Sequence, residues 1–224
     1  MNVVERFHGA YVHRRRVEVL AGHIAGVLPQ DATVLDVGSG DGRLARLIQD
    51  ARPDLSIRGV DVLLRPETEI PVSQFDGQTL PFETGAIDVV MFVDVLHHTQ
   101  DPLILLREAS RVAAVGIVIK DHLGEGVLAA ATLRFMDRVG NRRHGVALPH
   151  NYWTRQQWSA AWEELRLRTE VWRTRLGLYP LPARWIFERS LHFIAFLRRI
   201  DGAIETTTNS KQHVPIVSLS CTPA

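Results

Sequence analysis

Only one cysteine occurs in the 224 residues, Cys221, close to the end of the chain. A lone thiol excludes an intrachain disulfide and a thiolate metal cluster, and it fits a reducing cytoplasm. Excess charge of one sign is missing too: 26 Lys and Arg face 25 Asp and Glu, for a formal charge of +1. That balance disfavours nucleic acid as a partner, because a dedicated binder carries a cationic excess. Long apolar runs are also absent. The longest, Val112 to Ile119, is too short to cross a bilayer, and residues 1 to 20 set Glu5, Arg14, Arg15 and Arg16 around no apolar core. No transmembrane segment is expected. What is abundant is material for a core: 46% of the residues are hydrophobic, enough for one sizeable α/β body.

The richest stretch is Thr33-Val34-Leu35-Asp36-Val37-Gly38-Ser39-Gly40-Asp41-Gly42-Arg43-Leu44, an apolar strand running into a glycine turn that opens a helix. Bare backbone at Gly38, Gly40 and Gly42 permits positive φ and lets a ligand approach the main chain. Free N–H groups at a helix start favour a carboxylate or phosphate. The dinucleotide fingerprint G-x-G-x-x-G needs a third glycine at position 43, where Arg43 stands, which argues against a nicotinamide cofactor. About 20 residues further on, Ile57-Arg58-Gly59-Val60-Asp61-Val62 brings a carboxylate to the end of an apolar run, suited to accept two hydrogen bonds from a ribose diol.

Elements follow from periodicity. Val17, Leu20, Ile24, Val27 and Leu28 recur at helical spacing and predict a helix from about Val12 to Leu28, ending before Pro29. Strands are predicted at about 33–37, 56–61, 71–75, 87–93 and 115–121, with helices at about 42–51 and 102–113. Asp101-Pro102 supplies an N-cap and a first-turn proline for the second of these. Continuous apolar strands alternating with helices predict a mostly parallel sheet covered on both faces, with ligands at the strand C-terminal ends. Asp36, Asp61, Asp76 and Asp94 all fall at or just beyond such ends. Val127 to Val139 reads as a helix presenting Leu128, Thr132, Phe135, Met136 and Val139 on one face. Thr154-Arg155-Gln156-Gln157 reads as a capping box before a helix whose Trp158, Ala161, Trp162 and Leu165 form a core stripe. Leu167 to Leu176 and Leu191 to Arg199 read as the last two strands, and Val214 to Leu219 as a further candidate edge strand.

The Gly-x-Gly-x-Gly spacing with Asp36 two positions upstream resembles the first motif of class I S-adenosyl-L-methionine (SAM) methyltransferases. It is followed by Asp61, by Phe75-Asp76-Gly77-Gln78-Thr79-Leu80-Pro81-Phe82, by Ala86-Ile87-Asp88-Val89-Val90-Met91-Phe92-Val93-Asp94-Val95-Leu96-His97-His98, and by Asp101-Pro102. In this order, over roughly residues 12 to 122, the series resembles the small-molecule methyltransferase family that includes the ubiquinone and menaquinone biosynthesis enzymes. The resemblance implies a Rossmann-like seven-stranded sheet, mostly parallel, with helices on both faces and an antiparallel final strand. Within the one domain that length and composition predict over residues 1–200, it implies an acceptor-shaping cap at about 123–153; the polar run Thr206 to Gln212 marks 201–224 as a partly disordered tail. The resemblance also implies SAM as cofactor: Asp36 orders the glycine loop, Gly38 and Gly40 approach the methionine moiety, and Asp61 holds the ribose. Asp76 with the Gly77 backbone reads the adenine amino edge, Val93 and Asp94 line the methionine end, and Ser39, Gly42 and Val62 complete the cofactor set. One departure is the turn after the 102–113 helix. Relatives carry Pro-Gly-Gly there and this chain has Val112-Ala113-Ala114-Val115-Gly116, which leaves the register of Lys120, Asp121 and His122 open.

Methyl transfer from a sulfonium demands alignment and in some cases a base, but no metal. His122, His98 and His150 are the candidate bases, since an imidazole titrates near neutrality; His97 is more in keeping with a structural role. The Asn/Asp-Pro-Pro-aromatic motif of amino-group methyltransferases has no match at Asp94-Val95-Leu96-His97, and the cysteine nucleophile of cytosine carbon-5 enzymes has none either. A small, apolar metabolite is therefore the expected acceptor, with Phe135, Met136, Tyr152 and Trp153 in the cap. The alternatives are an RNA-modifying enzyme using Arg142, Arg143, Arg173 and Arg175, and a non-catalytic SAM-binding partner protein. A homodimer is compatible with the sequence.

Overall fold

Val- and Ile-rich runs, each followed by a turn and a helix, form parallel strands because both faces of such strands need apolar cover. The computed structural model describes residues 3–126, 128–141, 151–179, 185, 187–188 and 191–200. Seven strands form one sheet: β1 (Thr33–Val37), β2 (Ser56–Asp61), β3 (Val72–Gln74), β4 (Ile87–Val93), β5 (Ala113–His122), β6 (Leu167–Arg173) and β7 (His192–Arg199). Their spatial order is β3-β2-β1-β4-β5-β7-β6. Pairing is parallel from β3 to β5, while β7 runs antiparallel to both β5 and β6.

Alternate residues feed two cores. Leu35, Val37, Phe92, Ile117, Ile119, Phe193 and Ala195 pack beneath α3 (Pro102–Val112) and α5 (Arg155–Glu164). Val34, Met91, Val118, Ile194 and Phe196 face the other way, under α1 (Val3–Ala25) and α2 (Arg43–Ala51). On the first face the rings of Trp153, Trp158, Trp162, Trp172 and Phe193 form a continuous wall, with centroid separations of 4.9 Å for Trp153–Trp158 and 4.5 Å for Trp172–Phe193. The expected capping box closes α5: Thr154 accepts from Gln157 N, and the Gln157 side chain accepts from Thr154 N. Asp101 caps α3, its Oδ1 accepting from Leu103 N at 2.9 Å.

Three expectations need correction. The first helix spans Val3–Ala25 rather than 12–28; Val27 and Leu28 are buried, but in the turn that follows it. α3 runs directly into β5 at Ala113, so the missing Pro-Gly-Gly turn lengthens the strand at its start. α4 (Ala129–Asn141) begins after Leu128 and turns Met136, but not Phe135, of the expected face inward. Ala129 and Leu133, one turn apart, are buried against Leu191, whereas Leu128 and Phe135 are 66% and 58% exposed. The 201–224 tail, with Val214 to Leu219, lies outside the described residues.

Candidate functional site

A cavity of about 590 Å³ opens at the C-terminal ends of β1, β2 and β4. Small-molecule sites fall in that size range. Gly38, Gly40, Asp61, Val62, Asp76, Gly77 and Asp94 line it, together with Val95, His98, Phe75 and Ile104. Of the remaining residues of the expected cofactor set, Asp36, Ser39, Gly42 and Val93 do not line it.

Backbone geometry draws these residues together. Gly38 has φ +74°, and a Cβ there would sit 2.6 Å from Val95 Cγ2, so only glycine lets the β1 turn and the β4 loop meet. Gly38 N donates to Val60 O at 2.7 Å, and Gly40 N donates to Asp61 Oδ2 at 2.8 Å. The other Asp61 oxygen accepts from Leu63 N at 2.9 Å. The acid expected to meet a diol thus also closes the glycine turn, and each of its oxygens retains further acceptor capacity. Asp76 Oδ1 accepts from Gln78 N and Thr79 N at 2.8 and 2.7 Å, which lowers its pKa. Asp36, buried behind the turn, is pushed up to about 7 by burial and by the charge of Asp61.

At the far end of the cavity the chain assembles charge. Asp94 follows β4 with φ 57°, left-handed backbone that is uncommon outside glycine. Its Oδ2 accepts from Arg16 of α1 at 2.7 Å, and its Oδ1 accepts from the wholly buried Lys120 of β5. Burial alone would raise the Asp94 carboxyl; Lys120, Arg16 and His122 overcome that and hold it well below the usual carboxylate range. Next to it lies Asp121, also fully buried, whose Oδ1 is 2.6 Å from His97 Nδ1 and 2.8 Å from His122 N. Its Oδ2 accepts from Leu96 N at 3.0 Å. Although burial opposes ionisation, His97 and His122 hold Asp121 well below its ordinary value. His122 Nδ1 stands 3.3 Å from Asp121 Oδ1 and 3.6 Å from Asp94 Oδ1. Burial first, then Lys120 and His97, lower the His122 pKa from its ordinary value.

Asp94, His97, Asp121 and His122 are residue types that hold metal ions, and their ligand atoms lie within 4.8 Å of one another. Here the two carboxylates are matched by Lys120 and Arg16, and a divalent cation would add uncompensated charge to a buried site. The arrangement therefore fits a hydrogen-bonded proton-handling network better than an ion cage.

The three candidate bases are not equivalent. His98 lines the cavity, His122 ends β5 as the 3%-exposed centre of the buried network, and His150 lies outside the described residues. His97, His98 and His122 nevertheless form one group, with His97 ring centroids 3.9 Å from His98 and 4.5 Å from His122. Tyr152 stacks on His97 at 5.7 Å, and His192 of β7 lies 4.9 Å from His122. Arg16, Lys120 and Asp121 were not singled out from the sequence as site residues. The available signal was Val118-Ile119-Lys120-Asp121-His122, three titratable residues in succession at the end of an otherwise apolar strand.

The methyltransferase domain family matches residues 10–169. Among solved structures, the chain is similar to geranyl diphosphate C-methyltransferase from Streptomyces coelicolor A3(2), in complex with Mg2+, geranyl diphosphate and S-adenosyl-L-homocysteine. That match has 16% identity and a TM-score of 0.61, over 81% of this chain and 80% of that one. It is similar also to an S-adenosylmethionine-dependent methyltransferase from Mesorhizobium loti, at 16% identity and a TM-score of 0.55, over 77% of this chain and 94% of that one. The 4+2 cyclase SpnF matches at 16% identity and a TM-score of 0.57, over 81% of this chain and 80% of its own. At these identities the likeness concerns the fold, which hosts more than one chemistry.

Proposed function

Because the chain belongs to the methyltransferase domain family, with S-adenosyl-L-methionine as its cofactor, we propose that it methylates a small, apolar metabolite by in-line displacement. The observation that carries this reading is the rim cavity, where the glycine turn and the acids of three successive strand ends meet, with Asp61 bonded to Gly40 N. The fit to the cofactor is chemical as well as spatial. Asp61 and Asp76 offer acceptors for ribose and adenine donors, and the bare backbone at Gly38 and Gly40 leaves room for the methionine segment. Asp94 with Arg16 and Lys120 pairs an anion with cations, the complement of an amino-acid zwitterion.

When bound, SAM supplies a methyl group on an already activated sulfonium, whose transfer leaves a neutral thioether. The chain's own work is then to align an acceptor and to take its proton. We assign that proton to the histidine group of His98 and His122, and the acceptor pocket to the cap at 123–153, where α4 and Tyr152 lie.

Two measurements test the reading. In calorimetric titration S-adenosyl-L-homocysteine binds the wild type, and Asp61→Ala weakens it by one to two decades, since charge-assisted hydrogen bonds of about 1.5 to 3 kcal/mol are lost. Unchanged affinity in Asp61→Ala would remove that residue from the site. Incubation with methyl-labelled SAM and a cell extract, followed by mass spectrometry, should place label in an apolar small molecule. Label in RNA or protein, or none despite tight binding, would overturn the acceptor class.

A further inference from the structure

Asp121 does not line the rim cavity, yet among the described residues it is a fully buried and heavily engaged carboxylate. It takes hydrogen bonds from Leu96 N and His122 N, and its Oδ1 lies 2.6 Å from His97 Nδ1 and 3.3 Å from His122 Nδ1. An ionised carboxylate can only accept. His97 Nδ1 at 2.6 Å must therefore carry a proton, so that a neutral ring at this position has its lone pair on Nε2. The same logic applies to His122, whose Nδ1 faces two acceptor-only groups, Asp121 Oδ1 at 3.3 Å and Asp94 Oδ1 at 3.6 Å. Both carboxylates are ionised in the fold, held so by Lys120, Arg16 and the two imidazoles.

We infer that Asp121 is the positioning residue of methyl transfer, fixing the Nδ1–H tautomer on His97 and His122 and so orienting, behind His98 at the cavity wall, the histidine group that takes the acceptor's proton. The inference rests on the transferase reading above, and the tautomers it requires do not depend on which acceptor is methylated. Through Leu96 N the same carboxylate pins the turn Leu96–His98, and with it the segment that carries Asp94, Val95 and His98 to the cavity. One buried anion thereby sets both the shape of the β4 loop and the chemical face of the imidazoles. Orientation of a general base by a carboxylate behind it follows the logic of catalytic dyads, in which the rear group sets the tautomer and does not itself take up the proton.

The test is nitrogen-15 NMR of the imidazole rings in the full chain, with signals assigned through His97→Asn and His122→Asn. In the wild type both rings should show a protonated Nδ1 and an unprotonated Nε2. In Asp121→Ala that preference should be lost on both rings. Transfer of labelled methyl to the product found in cell extract should fall about a hundredfold, at the lower end of what a positioned base contributes. S-adenosyl-L-homocysteine affinity should fall by less than about tenfold, far less than transfer, whereas a collapsed β4 loop would abolish binding and transfer together. A wild-type His97 or His122 protonated on Nε2 overturns the inference even if Asp121→Ala fails to fold. So do unchanged tautomers, or undiminished transfer, in a folded Asp121→Ala. Failure of the wild type to bind S-adenosyl-L-homocysteine would instead overturn the cofactor reading and leave the tautomer result standing by itself.

Discussion

Asp36 shows how a single buried residue makes stability depend on pH. Its carboxyl is pushed up to about 7 from an ordinary 3.8, first by burial and then by Asp61. Between those values the folded chain holds a proton that the unfolded chain releases, so the stability from this group is full below the lower value and declines as pH rises through the upper one. Three pH units correspond to ~4 kcal/mol. Asp36→Asn abolishes that titration. In urea denaturation between about pH 5 and pH 8, the wild type should lose about 2 to 3 kcal/mol more than Asp36→Asn. Parallel pH profiles would mean that Asp36 titrates normally. The sequence marks Asp36 by its place before the glycines, but not its protonation, because that depends on Asp61, 25 positions away in the chain and brought close only by the β1–β2 pairing.

Among the elements, the turn from β1 to α2 is the most constrained. Gly42 has φ +74°, and a Cβ there would meet Ile70 Cγ1 at 2.5 Å and Ile70 N at 3.2 Å, so a side chain is opposed both by its own backbone and by the β2–β3 connection. Gly42→Ala should cost about 2 kcal/mol, a fall in Tm of about 4 to 8 °C. Gly22, in the last turn of α1 with nothing within 4 Å of a built Cβ, provides the opposite case. Gly22→Ala should stabilise by about 0.5 to 1 kcal/mol through helix propensity alone. Equal effects of the two substitutions in a thermal melt would refute the distinction. Gly42 was legible because its motif fixes its conformation. The inward face of α4 was not, since Leu128 and Phe135 look like core residues until Leu191 arrives from the far side of the chain to pair with Ala129 and Leu133. The extension of α1 towards Val3 was equally hidden, because Arg14-Arg15-Arg16 interrupts the apolar periodicity that marks the rest of the helix.

Across the whole molecule, strand order decides which chemistries are neighbours. The parallel half, β3-β2-β1-β4-β5, follows from motifs that recur in chain order, and it carries the cavity. Family resemblance implied an antiparallel final strand but not its place; β7 inserts between β5 and β6, which sets His192 opposite His122 and closes the buried network. Asp94 is the hinge between these halves, facing the cavity on one side and Lys120 on the other, with Arg16 reaching it from α1. A ligand filling the cavity lengthwise would therefore tie the first helix to the sheet. At about a hundredfold above its dissociation constant, S-adenosyl-L-homocysteine should add about 2.7 kcal/mol to the unfolding free energy, raising Tm by about 5 to 10 °C. 5′-Methylthioadenosine, which has the same nucleoside and no amino-acid end, should give a smaller shift at equal concentration. In Arg16→Ala the homocysteine compound should fall toward the shift of 5′-methylthioadenosine, while the latter stays where it was. If both shifts fall together, Arg16 acts on the fold as a whole, and the amino-acid end must be held by other residues.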